Sequence, residues 1–211
     1  MPLHKGFAQA RTDLRKAAHA AQAIFIAVGT PQSRTGSADL SFVDAVASEI
    51  ARSIDSYKVI VEKSTVPVYT NEWIRRVIER NGVSKEMFDV ASNPEFLREG
   101  TAVVDFLHAD RIVVGAATES ASNLLKQIYL PLTSGDYYET ANAVPGPREK
   151  NNPSPILLTS TKAAEIIKHA ANALLATKIS FINVVAKSCE AAGADVEEVA
   201  RGIGMDSRIG P

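Results

Sequence analysis

Short apolar runs alternate with segments of helical periodicity between residues 23 and 129. Each run is bounded by turn residues and is too short for a buried helix, so each run predicts a strand. The predicted strands are AIFIAV (23–28), YKVIVE (57–62), FDVAS (88–92) and DRIVVG (110–115). The predicted helices are 39–54 (apolar face Phe42, Val46, Ile50, Ile54), 71–80 (capped by Thr70) and 119–129. This alternation predicts an α/β fold, a parallel sheet with helices on both faces.

Three loops leave the carboxyl ends of these strands: 29–31, 64–67 and 93–95. Ligands of open parallel sheets bind beyond these ends, so the loops should meet along one edge. The segment NPEFLREG (93–100) lies there and carries Glu95 and Glu99. One interpretation is a short solvated helix with surface glutamates. The other is a site in which one carboxylate moves protons and the other binds a hydroxyl-rich ligand.

The character of the sequence changes after residue 131. Residues 132–160 are rich in Pro, Gly, Asn and Ser and predict a linker. Residues 161–193 predict one long helix with an apolar stripe, and Asp195 with Glu198 predicts the start of a helix over 196–204. The predicted domains are 1–131, 132–160 and 161–211. The stripe consists of Ala164, Ile167, Ala171, Leu174 and Leu175.

Composition excludes several classes of protein. A net charge of −1 provides no field that would recruit nucleic acid or an anionic membrane. No apolar run approaches the roughly 18 residues of a membrane span. Cys189 is the one cysteine, which excludes an internal disulfide framework and predicts a reducing, cytoplasmic compartment. GxGxxG, HExxH, CxxC and GxSxG are absent and the four histidines are scattered, so no metal site is predicted.

Six segments occur in an order that is specific to one family. They are FIAVGTP, VEKSTVPV, NPEFLREGTAVVDF, DRIVVG, AAEIIKHAANALLATKISFIN and CEAAGADVEEVARGIGMDSRIG. From about Arg11 to Pro211 the chain resembles the UDP-glucose dehydrogenase family. The resemblance implies an incomplete Rossmann-like domain that binds NAD, followed by a helical dimerisation domain built on one long helix. It also implies oxidation of UDP-glucose to UDP-glucuronate in two hydride steps through a covalent thio-intermediate. The GDP-mannose branch is the alternative.

Two parts of the family pattern are not among these residues. The first βαβ unit, with its glycine fingerprint, would lie before residue 11, and the nucleophilic cysteine follows the segment RIG. The chain is therefore expected to be an incomplete and inactive portion. The position of Cys189 in the family is structural. A non-catalytic dimerisation module is the competing interpretation, and a homodimer through the long helix is the expected assembly.

The resemblance implies catalytic roles for four residues. Glu95 would act as the base for water in thioester hydrolysis, with a pKa tuned towards neutrality by burial, and Thr65 would position that water. Lys168 would stabilise negative charge on the substrate oxygen, and Asn172 would hold a water or the sugar. The alternatives are a surface glutamate, a threonine bonded within its own turn, and a surface ion pair between Glu165 and Lys168.

The resemblance also implies binding roles. The expected NAD contacts are Val28, Gly29, Thr30, Pro31, Ser64, Thr65 and Glu99. The expected substrate contacts are Glu95, Phe96, Leu97, Arg98, Glu99, Lys168, Asn172 and Arg208. Arg208 would reach the UDP-sugar of the neighbouring subunit, although a terminal arginine is more often solvated. Plain packing is the alternative for Phe96 and Leu97. Tyr69 departs from the family, which has a small residue there.

Overall fold

The structure, a computed structural model, describes residues 13–210, which fall into two compact units divided after Lys168. The strands are β1 (Ala23–Ile26), β2 (Lys58–Glu62), β3 (Phe88–Ser92), β4 (Ile112–Gly115) and β5 (Ile156–Thr159). The helices are α1 (Leu14–Ala20), α2 (Ser41–Ala51), α3 (Thr70–Arg80), α4 (Ala102–Leu107), α5 (Glu119–Thr133), α6 (Thr161–Ala192) and α7 (Val196–Gly204). Two short 3-10 helices cover Lys85–Met87 and Asp136–Glu139.

The first unit is built on a sheet with the strand order β1-β2-β3-β4-β5. Three of its pairings are parallel, but β3 and β4 are antiparallel and share one residue pair, Ser92 with Gly115. The sheet is therefore mostly parallel, as predicted, with one antiparallel pairing. The connection between β3 and β4, residues 93–111, contains the six-residue helix α4. β4 runs in the direction opposite to β3.

Helices cover both faces of the sheet, as predicted. Ile60 of β2 belongs to a buried cluster with residues of α2 and α3 on one face. The neighbouring Val59 and Val61 belong to a second cluster with Ala121 and Leu125 of α5. Side chains alternate between the faces along a strand, so β2 connects the two layers. Each fully buried Ile, Leu or Val contributes about 1.5–3 kcal/mol of transfer free energy.

The buried face of α2 differs from the predicted one. Phe42 is exposed, whereas Val43, Ala47 and Ile50 are fully buried. The prediction included the large apolar residues Phe42 and Val46 and passed over the buried alanine.

The start of α3 also differs from the prediction. The N-cap is Tyr69, with φ 77° and ψ 5°, and Thr70 is the first helical residue. Thr70 Oγ1 donates to the carbonyl of Pro67 at 2.7 Å and so does not cap the helix. Among residues 13–210, Tyr69 is the one non-glycine residue with positive φ. An L-residue in this region costs roughly 1–2 kcal/mol, so other contacts must hold the turn in place.

The segment predicted as a linker contributes a strand. β5 lies within residues 132–160 and pairs in parallel with β4 over four residues, from Ile112 with Ile156 to Gly115 with Thr159. The apolar run ILL completes the sheet after a polar, proline-rich approach, so part of the predicted linker belongs to the sheet. The proposed domain boundaries stay a prediction.

The end of β4 lies directly against the start of α6. A Cβ placed on Gly115 would lie 2.7 Å from both Ala164 Cβ and the Ser160 carbonyl oxygen, and 2.9 Å from Thr161 Cα. Contacts this short do not occur in real structures, so only glycine fits. Residues 161–168 of α6, which belong to the first unit, therefore begin at a fixed distance from the sheet.

The second unit contains residues 169–192 of α6 and the helix α7. Gly193, with φ 70°, ends α6, and Asp195 caps α7 by accepting from Glu197 N at 2.8 Å. Large apolar side chains of this part of α6 are exposed: Leu174, Leu175, Ile179, Phe181 and Val184. Within residues 13–210, no helix is long and apolar enough to cross a membrane.

Candidate active site

Hydrogen bonds join the loops that follow β1 and β2. Val28 N donates to Ser64 Oγ at 2.9 Å, and Thr30 Oγ1 donates to the Thr65 carbonyl at 2.7 Å. Around Gly29 the surface is open, since a Cβ built there would meet no atom within 4 Å. This rim can therefore admit a ligand against the backbone, which suits a nucleotide cofactor approaching the strand ends.

A partly buried lysine connects the loops after β2 and β3. Lys63 Nζ donates to Asn93 Oδ1 at 3.2 Å, and Asn93 Nδ2 donates to the Val113 carbonyl at 2.8 Å. Burial lowers the pKa of Lys63 to about 8, with the charge of Glu95 opposing and that of Lys168 adding to this shift. All three loops thus meet, as expected from the sequence.

Glu95 lies at the centre of this convergence. Its Oε1 accepts from Lys168 Nζ at 2.9 Å and, at the outer limit of a hydrogen bond, from Thr65 Oγ1 at 3.5 Å. Its Oε2 accepts from Leu97 N at 2.5 Å. Residues 93–98 form no helix, so the interpretation as a short solvated helix is wrong. The structure brings Thr65, Glu95 and Lys168 together from distant parts of the sequence.

The pKa of Glu95 moves against the sequence-based expectation. Burial raises it, but the hydrogen bonds from Lys168 and Leu97 N and the charges of Lys168 and Lys63 outweigh burial and lower the pKa below its ordinary value. Glu95 is therefore an ionised carboxylate at neutral pH, and its basicity depends on whether the ammonium stays beside it.

Lys168 is not half of a surface pair with Glu165, as the alternative interpretation had it. Glu165 is 2% exposed and binds elsewhere. Its Oε2 accepts from Tyr69 N at 2.8 Å, and its Oε1 accepts from Asn71 N at 2.9 Å and Asn71 Nδ2 at 3.0 Å. Lys168 is buried with Glu95 as its ion-pair partner.

Phe96 provides an aromatic surface beside the ion pair. Lys168 Nζ lies 5.5 Å from the ring centroid and Arg111 Cζ lies 4.0 Å from it. Both distances suit a cation–π contact. Phe96 therefore contacts the charged group and is not solely a core residue.

Other predicted residues stand apart from this group. Glu99 is exposed at a turn. Arg98 is exposed and forms a forked pair with Asp105, from Nε at 3.1 Å and from the terminal nitrogen at 2.6 Å. The structure joins neither Glu99 nor Arg98 to Glu95 by a hydrogen bond or ion pair.

Two predicted residues belong to the second unit. Asn172 is exposed on α6. Arg208 is exposed and pairs with Asp206 at 2.6 Å. The predicted roles of both residues stay predictions.

Two charged residues at the end of β2 were missed by the sequence reasoning. Lys63 is described above, and Glu62 precedes it, 1% exposed. Glu62 Oε1 accepts from Ser64 N at 2.6 Å, while Oε2 is buried without a hydrogen-bond partner. Burial raises the pKa of Glu62 to about 7 against the bonds from Ser64, and the charge of Glu165 adds to the rise. The sequence feature that could have indicated them is a Glu-Lys pair directly after the apolar run VIV.

Comparison with known proteins places these residues in a family. Residues 2–133 match the model of the UDP-glucose/GDP-mannose dehydrogenase family, NAD binding domain, and residues 162–211 match its central domain. This match confirms NAD as the predicted cofactor of the first domain.

The relatives are similar along nearly all of this chain. The UDP-glucose 6-dehydrogenase TuaD of Bacillus subtilis is 43% identical over 94% of this chain and 39% of its own length. The UDP-glucose 6-dehydrogenase of Rhizobium meliloti is 44% identical over 94% of this chain and 42% of its own. The chain thus spans well under half the length of these relatives.

Solved structures agree with this assignment. A UDP-glucose dehydrogenase from Pyrobaculum islandicum superposes with a TM-score of 0.80 at 39% identity, covering 95% of this chain and 42% of that one. A GDP-mannose dehydrogenase from Pseudomonas aeruginosa also gives 0.80, at 31% identity, covering 93% of this chain and 42% of that one. The chain therefore belongs to the UDP-glucose/GDP-mannose dehydrogenase family, of which it carries the NAD-binding and central domains.

Proposed function

We propose that these residues serve an NAD-dependent dehydrogenase that oxidises the C6 alcohol of UDP-glucose to the carboxylate of UDP-glucuronate. The observation that carries the proposal is the group of Thr65, Glu95 and Lys168 beside the open rim at Gly29. The higher identity to UDP-glucose dehydrogenases favours UDP-glucose over GDP-mannose.

The overall reaction removes two hydrides from one carbon. The alcohol loses a hydride and a proton to give an aldehyde. A cysteine thiolate adds to the aldehyde, and loss of a second hydride leaves a thioester. Water then cleaves the thioester, releasing the acid and the thiol. NAD supplies the hydride acceptor in both oxidations.

Lys168 and Glu95 would share the handling of charge. The Lys168 ammonium is buried and preorganised, so it can stabilise an oxyanion on the sugar. When Lys168 turns to that oxyanion, Glu95 loses the contact that lowers its pKa and becomes a stronger base for water. Thr65 Oγ1 lies close enough to Glu95 to orient that water.

Further residues would bind the two ligands. Val28, Gly29, Thr30 and Pro31, with Ser64, Thr65 and Glu99, would hold NAD. Phe96, Leu97, Arg98, Glu99 and Asn172 would contact the nucleotide sugar, and Arg208 would contact the sugar of a neighbouring subunit.

The nucleophile is not among these residues. Cys189, the one cysteine, is buried in α6. A buried helical thiol is inert. The 211-residue chain alone should therefore produce no NADH from UDP-glucose and NAD.

A chimera tests the proposal. Residues 2–211 would replace the matching part of TuaD, and the chimera should reduce NAD with UDP-glucose in preference to GDP-mannose. Glu95→Gln should slow hydrolysis by about 100-fold or more, because water loses its base, and should let the thioester accumulate. Mass spectrometry of the quenched enzyme measures the adduct.

The matched control is Glu79→Gln, which makes the same change on the exposed face of α3 and should leave turnover intact. Normal turnover by Glu95→Gln would remove Glu95 from the proposed role. Faster turnover with GDP-mannose would assign the chain to the other branch.

A second candidate function is dimerisation through α6. The exposed apolar side chains of Leu174, Leu175 and Ile179 favour it, since monomers rarely leave such a stripe in water. The dimer would serve either the enzyme or a non-catalytic module.

A further inference from the structure

We infer that Glu165 is a positioning residue that holds both side-chain partners of Glu95 in place, a role that rests on the proposed function of that group. The inference starts from a buried carboxylate that no catalytic role explains. Its two oxygens accept three hydrogen bonds, all from the N-terminus of α3.

One side of the link leads to Lys168. Glu165 lies one turn before Lys168 on α6, within the same compact unit. Residues three apart on a helix are neighbours on its surface. Fixing Glu165 therefore fixes where the Lys168 stem leaves the helix.

The other side leads to Thr65. Tyr69 ends the loop that begins at Lys63, and Asn71 lies in the first turn of α3. Tyr69 holds its left-handed conformation while its N–H points at Glu165. The conformation is costly for tyrosine, and the charge-assisted bond to Glu165 offsets that cost. Glu165 thus anchors the loop that carries Thr65 as well as the helix that carries Lys168.

The exposed pair between Lys162 and Glu72 joins the same two helices. Its atoms lie 2.9 Å apart with both side chains partly exposed. Such a pair contributes little. It provides a control that breaks a contact between α3 and α6 without touching the buried link.

The test measures the pKa of Glu95 in the 211-residue chain by carbon-13 NMR of labelled glutamate carboxyls, assigned by the signal lost in Glu95→Gln. Removing the negative charge of Glu165 would by itself lower the pKa of Glu95. Losing the placement of Lys168 would raise it, because burial would then dominate. The two explanations predict shifts of opposite sign.

Glu165→Gln keeps the size of the side chain. It replaces one carboxylate oxygen, which accepts a hydrogen bond, with an NH2 group that would face an N–H of Tyr69 or Asn71. We expect it to raise the pKa of Glu95. Glu165→Asp keeps the charge but is one methylene too short for the fork, and it should raise the pKa as well. Glu72→Gln should leave it unchanged.

A fall or no change in the pKa of Glu95 in Glu165→Gln would overturn the inference. If that variant does not fold, a fall or no change in the pKa of Glu95 in Glu165→Asp would overturn the inference. The measurement uses neither substrate nor turnover, so an inactive chimera would reject the proposed function without affecting this result.

Discussion

At the scale of single residues, two glutamates near the strand ends differ in what their surroundings do to their pKa values. Glu95 has an ammonium beside it and keeps a lowered pKa. Glu62, with one oxygen unpartnered, has its pKa raised to about 7. The same side chain is thus a carboxylate at one position and close to half protonated at the other near neutral pH.

Glu62 makes stability depend on pH. Its folded pKa lies above its ordinary value, so the folded chain retains a proton that the unfolded chain releases. Stability should therefore fall as the pH rises from the ordinary pKa of 4.5 to the folded value of about 7. Glu62→Gln should remove this fall and gain on the order of 3 kcal/mol relative to the wild type above neutrality.

Urea unfolding at about pH 5 and about pH 8 measures the effect. Glu79→Gln, on the exposed face of α3, should behave like the wild type at both values. An unchanged pH profile in Glu62→Gln would show that Glu62 is not the group responsible.

At the scale of elements, one buried carboxylate connects three parts of the first unit. Asp89 of β3 accepts from Tyr57 and Thr118, each at 2.6 Å, and lies 3.6 Å from a guanidinium nitrogen of Arg75 on α3. Thr118 also caps α5 by accepting from Ala121 N at 3.2 Å. A single hydroxyl therefore serves both the helix start and the buried acid.

Thr118→Ala should destabilise the fold by about 1–2 kcal/mol, because α5 loses its cap and Asp89 loses a donor. The denaturant midpoint measures the loss. Thr118→Ser retains the hydroxyl and should recover most of the stability. If serine and alanine cost the same, the methyl group and not the hydroxyl is what matters.

The strands and the long helices could be predicted because their apolar patterns are local. β1 to β4 follow from short apolar runs, whereas β5 follows a polar, proline-rich stretch and is half exposed at the sheet edge. Local sequence patterns cannot predict a contact when the two partners lie far apart in the sequence. The cap of α3 is a strained tyrosine, which no propensity favours, and the partners of Glu165 lie 94 to 96 residues away.

The candidate site could be predicted in part for the same reason. The rule for strand ends indicated the rim and Glu95, and the family resemblance indicated Thr65 and Lys168. The direction of the Glu95 pKa depends on a cation 73 residues distant and could not be read from the sequence.

At the scale of the whole molecule, α6 exposes large apolar side chains. Leu175 and Ile179 lie one turn apart and are 59% and 62% exposed. If α6 pairs with a second copy, Ile179→Glu would place a charge in an apolar contact at a cost of several kcal/mol.

Ile179→Glu should therefore convert a dimer into a monomer, with the molar mass measured by light scattering. Lys126→Glu, which alters an exposed position of α5, should leave the dimer intact. A wild-type chain that is already monomeric would reject dimerisation through α6.

Gly115 has a consequence for how this fold can vary. Its backbone is not in the left-handed region, and it has no side chain to offer, yet the start of α6 occupies the only volume in which a methyl group could stand. Any larger amino acid would require the start of α6, the helix that carries Lys168, to shift. Because glycine has no Cβ, the helix that carries Lys168 can pack directly against the end of β4.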